Sequence, residues 1–186
     1  GSLGCSGDLA PLAHCALAAM GEGSVRVDGA ALPVADALAA AGIEPLVLRE
    51  KEGLALINGT DGMLGMLAIA IGDLDDLLDT ADLAAAMSVE GLAGTDAVFA
   101  SDLQALRPHP GQATSAAHMR TVLQDSGAIA AHRATGFTRV QDAYSLRCAP
   151  QVHGAARDTV DHARRVAGIE LASAIDRDLG GFDAFK

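Results

Sequence analysis

The sequence contains no tryptophan, one tyrosine and four phenylalanines among 186 residues. It is also short of positive charge, with 13 Lys+Arg against 24 Asp+Glu and a formal net charge of −11. Such a chain lacks both the stacking rings and the basic footprint of a nucleic-acid binder. The same deficit speaks against an anionic membrane surface as partner. No run of eighteen uninterrupted apolar residues occurs, so no membrane span is expected, and no charged-then-apolar leader opens the chain. Cysteine is scarce as well. Cys5, Cys15 and Cys148 are odd in number and never form C-x-x-C, which reads as reduced thiols in a cytoplasmic protein. The six histidines, His14, His109, His118, His132, His153 and His162, form no H-E-x-x-H and no ligand spacing with cysteine. No metal is therefore expected.

What is present is apolar and small: half the residues are hydrophobic and 21 are glycine. Alanine and glycine at this level favour close helix packing over a β-sandwich, which aromatic and β-branched residues would dominate. An alanine-rich helix is expected over residues 9–20, stopped by Gly21 and Gly23. The Asp28-Gly29 pair between short apolar runs predicts a hairpin within residues 24–34. A short helix over 35–41 closes at Gly42, and a helical stretch over 50–57 ends at the Asn58-Gly59 turn pair. From Met63 onward Leu64, Leu67, Ala68, Ile71, Leu74, Leu78 and Ala81 recur at steps of three and four, a helix stripe. Asp73, Asp75, Asp76, Asp79 and Asp82 are read as its solvated face. Further helices are expected over 112–124 and 152–175, the latter with Val152, Ala156, Val160, Ala163 and Ala167 on one side. The fold class is mainly α, a bundle of long helices with one small β-hairpin near residues 24–34, organised as a single partial domain over 1–186.

Two segments carry candidate chemistry. The opening Gly4-Cys5-Ser6-Gly7-Asp8 lacks the Lys-Ser/Thr pair of a phosphate cradle and the G-x-S-x-G spacing of a nucleophile elbow. It supports either of two other readings. One is a plain loop with Asp8 capping the helix that follows. The other is self-cyclisation, in which the Gly7 nitrogen, unhindered by any Cβ, attacks the Cys5 carbonyl and Ser6 loses its hydroxyl as water. Around Cys148, Gln141, Tyr144 and Arg147 step by three. If helical, they share one face and offer an amide, a proton-carrying phenol and a carboxylate fork to an anionic ligand. An ordinary polar helix face fits that spacing too. Asn58 reads first as a turn residue that tolerates a left-handed backbone, and His109, between two prolines, as a loop histidine with a structural hydrogen bond.

Four segments together resemble the histidine and aromatic amino acid ammonia-lyases. They are GSLGCSGDLAPLAH at 1–14, KEGLALINGT at 51–60, RPHPGQ at 107–112 and VQDAYSLRCAPQV at 140–152. The resemblance implies the ammonia-lyase fold and a 4-methylidene-imidazol-5-one (MIO) electrophile formed from Cys5, Ser6 and Gly7, with Asp8 assisting ring formation and no metal. Cys5 stands where alanine is commoner, as in actinobacterial-type histidine ammonia-lyases. It further implies that Asn58 contacts the substrate amine region, that Gln141 lies beside the ring, that Tyr144 is the active-site tyrosine and that Arg147 binds the substrate carboxylate. The implied reaction converts L-histidine to urocanate and ammonia, in a homotetramer in the full-length family.

Departures from the family bound that reading. Arg177 stands where an asparagine is usual, and the upstream tyrosine loop and the downstream carboxylate of the family have no counterpart in this sequence. The chain is expected to be a central segment with little turnover by itself. One rival keeps the chemistry and changes the substrate, as a phenylalanine or tyrosine ammonia-lyase or aminomutase. Another is a non-catalytic helical assembly fragment, whose uncovered apolar faces seek a mate.

Overall fold

The computed structural model describes residues 8–136 and 139–173. Cys5, Ser6 and Gly7 lie outside the described residues, as does Arg177. About 70% of the described residues are helical. The chain divides into two compact units, one up to Leu67 and again from Ala167, the other Ala68–Val166.

In the first unit α1 (Leu9–Ala19) packs against α3 (Glu52–Ile57). Between them β1 (Ser24–Val27) pairs antiparallel with β2 (Ala30–Pro33), Val25 opposite Leu32 and Val27 opposite Ala30. Asp28 at φ 50° and Gly29 at φ 83° supply the two left-handed turn residues that match the twist of a hairpin. The chain runs straight into α2 (Val34–Ala41), whose Val34 is the best-buried apolar side chain of this unit. The predicted stops hold: α1 ends before Gly21, and α2 at the left-handed Gly42. Asn58 caps α3 at φ −119°, so its tolerance of a left-handed backbone goes unused.

The long helix α4 (Asp61–Gly91) begins in this unit, and the division between units falls within it. Its stripe is narrower than the sequence suggests. Leu64, Ile71 and Leu78 are buried, whereas Leu67, Ala68 and Leu74 are exposed. Burial at every seventh residue is narrower than a stripe made of steps of three and four. After Leu78 the buried line continues through Asp82, Ala86 and Val89. Reading Asp82 as part of the solvated face is therefore wrong, because it lies four residues after Leu78 on the same face. The uncovered sides of α4 display Met66, Ile69, Leu77, Leu83 and Met87. Within Glu52–Gly91 an 18-residue window reaches a mean hydropathy of 1.6, long and apolar enough by composition to cross a membrane. A search for uninterrupted apolar runs passes over it because Asn58, Thr60 and Asp61 break the run before Met63 and Asp73, Asp75 and Asp76 break it after Gly72.

In the second unit a 3₁₀ turn (Ala97–Phe99), α5 (Ser101–Ala105), α6 (Pro110–Leu123), α7 (Gly127–Thr135), the one-turn α8 (Tyr144–Arg147) and α9 (Ala149–Leu171) follow α4, and α9 runs on past Val166, where this unit ends. Pro110 opens α6 at a position where its missing N–H costs nothing. Ser126 caps α7 by accepting from the Ile129 N–H at 3.1 Å. The core joins Ala86 and Val89 of α4, Phe99, Ala116, Met119 and Leu123 of α6, Ile129, Leu146 and Ala149. On α9 the buried positions are Ala149, Pro150, Gly154, Val160 and Ala167, while Val152 and Ala156 face solvent. The predicted apolar side is right in its second half and shifted in its first, where glycine and not an apolar side chain makes the contact. There α6 and α9 meet backbone to backbone: a Cβ on Gly111 would lie 2.2 Å from the Gly154 carbonyl oxygen, and one on Gly154 would lie 2.3 Å from the Gln112 nitrogen.

Gly154→Ala is expected to lower stability by roughly 3 kcal/mol, since backbone cannot rotate out of the way. Gly72→Ala, on α4 with nothing within 4 Å of the new methyl, should raise it by about 1 kcal/mol through helix propensity. Urea unfolding of the two variants checks the pair, and equal effects would contradict the close approach.

Candidate functional site

In the first unit Asp8 is buried at 3% exposure and stands at the N-cap position of α1. It caps by backbone only: its carbonyl accepts from the Leu12 N–H at 3.2 Å, and its side chain makes no cap bond. The carboxylate is turned toward the first turn of α4, where a Cβ on Gly62 would lie 3.3 Å from Oδ2. A carboxylate at that end of a helix meets the positive pole of its dipole. Asn58, Gly59, Asp61 and Leu64 line a cavity of about 220 Å³ together with Glu170 and Ser173. A Cβ on Gly59 would meet the Asp61 carboxylate, the end of a flexible side chain that can swing aside.

In the second unit Gln141, Tyr144 and Arg147 do not share a helix face. Gln141 lies in a bend before α8, which begins only at Tyr144. The reason is Asp142, which is buried at 7% and draws the chain inward. Its Oδ2 accepts the Thr95 N–H at 2.7 Å and its Oδ1 lies 3.3 Å from Arg139. Tyr144 and Arg147 are brought together: the guanidinium carbon sits 4.1 Å from the ring centroid, a cation–π contact. Tyr144 is 72% exposed, and the Arg147 Nε is buried without a hydrogen-bond partner among the described residues. A guanidinium with an unused donor beneath a phenol can fork a carboxylate while the phenol handles a proton. His109 sits at the N-cap of α6, its N–H donating to the Arg107 carbonyl at 2.8 Å.

The same unit holds a charged cluster that the sequence reading missed. Asp82, at 1% exposure, receives His153 Nδ1 at 2.7 Å on Oδ1 and the Arg157 guanidinium at 2.6 Å on Oδ2. His118 Nδ1 approaches the same oxygen at 3.2 Å. Arg157 also donates to Ser115 Oγ at 3.0 Å and to Asp79 at 2.7 Å. Burial works against the Asp82 charge. Hydrogen bonds from His153, Arg157 and Ser115, with the Arg157 charge, outweigh it and hold the carboxyl below the ordinary aspartate value of 3.8. Burial likewise disfavours the Arg157 cation, and its bonds to Asp79 and Asp82 more than compensate. Asp79, Asp82 and His118 stand at distances a metal ion would accept, with Arg157 as the cation among them. The signal for Asp82 was present in the sequence, four residues beyond Leu78 on the apolar face; nothing marked His118 or His153 as its partners.

The family description "Aromatic amino acid lyase" matches residues 1–179. A histidine ammonia-lyase from Streptomyces griseus is 62% identical over 180 residues, covering 96% of this chain and 35% of that protein. Among solved structures, a tyrosine aminomutase from Streptomyces globisporus has a TM-score of 0.75 and 41% identity, over 94% of this chain and 36% of that one. A histidine ammonia-lyase from Trypanosoma cruzi has a TM-score of 0.70 and 36% identity, over 94% of this chain and 32% of that one. The chain thus spans about a third of the length of the proteins it matches.

Asp82→Asn is expected to lower stability by about 3 kcal/mol at neutral pH, because it strips a buried ion pair of its anion. A depressed carboxyl pKa means that the unfolded chain binds more protons in acid. Its contribution is therefore complete above the ordinary aspartate value and fades as pH falls through the folded one. Urea unfolding between about pH 6 and about pH 2 should show the two proteins converging; a gap unchanged by acid would count against the Asp82 charge as its source.

Proposed function

The chain belongs to the aromatic amino acid lyase family, and we propose that it is part of an ammonia-lyase that eliminates ammonia from L-histidine to give urocanate. The observation that carries the substrate is its 62% identity to a histidine ammonia-lyase over 96% of the chain. The likeness to a tyrosine aminomutase at TM-score 0.75 supports a second reading, in which the same chemistry acts on tyrosine or phenylalanine.

The proposed electrophile is the MIO group made from Cys5, Ser6 and Gly7. When formed, it supplies an electron-poor methylidene that activates the substrate amine as a leaving group. What this chain shows beside the triad fits such a group. Asp8, the next residue, is buried and fixed against Gly62, a rigid anchor for a loop that must bend tightly to close a ring. The proposed roles of the remaining residues follow from their chemistry. Arg147 binds the substrate carboxylate through its planar guanidinium fork. Tyr144, held over that guanidinium, receives or returns a proton at its phenol oxygen. The Asn58 and Gln141 amides orient the amine region and the ring side. The working form is proposed to be a cytoplasmic homotetramer. In isolation the 186 residues are expected to show little or no turnover.

Intact mass with fragmentation across residues 1–14 tests the electrophile: a deficit of two waters confined to Cys5-Ser6-Gly7 is expected, and Ser6→Ala should abolish it. An unmodified triad would leave the chain an incapable scaffold. For the substrate, a longer protein carrying this segment should release ammonia from histidine and lose that activity completely on Ser6→Ala. Turnover of tyrosine or phenylalanine with histidine untouched would decide for the second reading.

A further inference from the structure

We propose that Asp142 is the positioning residue for Tyr144, working as a buried clamp that fastens the bend before α8 to the C-terminal end of α4. The inference rests on the lyase reading only for its catalytic consequence; the clamp itself is a matter of geometry within one unit.

α8 has four residues, a single turn. An isolated turn of helix fixes several dihedrals for one or two hydrogen bonds and does not persist unaided. Ala143, at its N-cap, offers no side-chain cap and holds the turn only through its carbonyl, which accepts from the Leu146 and Arg147 N–H groups at 3.0 Å. Tyr144, 72% exposed, has little packing of its own beyond Arg147. Its direction therefore depends on what holds the chain immediately before it. Downstream the chain is held, because Leu146 and Ala149 belong to the core. Upstream, the residue two before Tyr144 is the buried carboxylate.

That carboxylate is tied across 47 residues of sequence. Oδ2 takes the Thr95 N–H at 2.7 Å. Oδ1 faces Arg139 at 3.3 Å, and the same Arg139 nitrogen donates to the carbonyls of Leu92 at 2.9 Å and Ala93 at 2.8 Å. Those carbonyls lie just past the end of α4, where a cation also meets the negative pole of the helix. The receiving end is shaped to match. Ala93 takes φ 50°, the Gly94 N–H turns back to the Val89 carbonyl at 2.7 Å, and the Ala93 N–H reaches the Glu90 carbonyl at 3.1 Å. This is a helix stop of the Schellman kind, built here with alanine in the left-handed place. A Cβ on Gly94 would lie 3.0 Å from Asp142 Oδ2 and 3.2 Å from the Val89 carbonyl oxygen, so the bare backbone at Gly94 is what lets the carboxylate in. Arg139 and Asp142 thus bracket Gln141 and hold both ends of the bend from which Tyr144 emerges.

Tyr144 is the only tyrosine and the chain has no tryptophan, so near-ultraviolet circular dichroism and tyrosine fluorescence anisotropy in the 186-residue chain report its placement directly. Asp142→Ala should cut the tyrosine dichroism by more than half and lower the anisotropy, with far-ultraviolet helicity unchanged. Asp142→Asn, which keeps an acceptor for the Thr95 N–H and loses the pairing with Arg139, should fall between. Unchanged tyrosine signals in both variants would overturn the clamp. So would a general loss of helix in both, which would make Asp142 a residue of the fold as a whole. In a longer protein that releases ammonia, Asp142→Ala should lower kcat about 10- to 100-fold with KM changed less than about two-fold. In a Tyr144→Phe background the same substitution should cost little, since two residues acting as one unit do not add; additive losses would overturn the assignment. If the parent releases no ammonia, the lyase reading fails while the tyrosine signals still decide the clamp.

Discussion

Taking a carboxylate such as Asp82 out of water costs several kcal/mol unless its charge is met on the spot, and in the second unit its partners come from two other helices at once. Asp82 and Asp79 stand on α4, Ser115 and His118 on α6, His153 and Arg157 on α9. The apolar core of the unit is composed largely of alanine, valine and leucine, with a single phenylalanine. Side chains of that size slide past one another with little penalty, so they do not fix helix register by shape alone. The carboxylate does, since its two oxygens must face three donors. The first turns of α9, which carry His153 and Arg157, take their place from that requirement.

Much of the architecture could be read directly from the residues. Glycine stops after α1 and α2, the Asp28-Gly29 hairpin and the onset of α4 are local matters, decided by backbone freedom and by the period of apolar residues, and they appear where expected. The misreadings share a different cause. Asp82 looked like part of a solvated run because nearby aspartates do face water; its partners lie 33 to 75 residues further along the chain, and no local pattern announces them. Gln141 was placed on a helix with Tyr144 and Arg147 because their spacing permits it, whereas a buried carboxylate between them prevents it. Val152 and Ala156 were assigned to the core side of α9 on hydropathy, and a glycine contact turns that side away from them. Of the candidate site residues, the Tyr144–Arg147 contact follows from their spacing, while the burial of the Arg147 Nε without a partner among the described residues depends on tertiary packing.

The exposed apolar sides of α4 bear on the same question from the opposite direction. Met66, Ile69, Leu77, Leu83 and Met87 are uncovered in this chain, and the matched relatives are about three times as long. A helix apolar around most of its circumference is stable when it is surrounded.

The Gly111–Gly154 crossing has a consequence for how the sequence can change over time. Elsewhere in the core a large side chain on one helix can be offset by a smaller one on its neighbour, so drift proceeds through paired steps. Here the neighbour of each glycine is main chain, which no substitution can shrink. Neither position therefore has a compensating partner, and the two glycines form a frozen pair around which the rest of α6 and α9 remains free to vary.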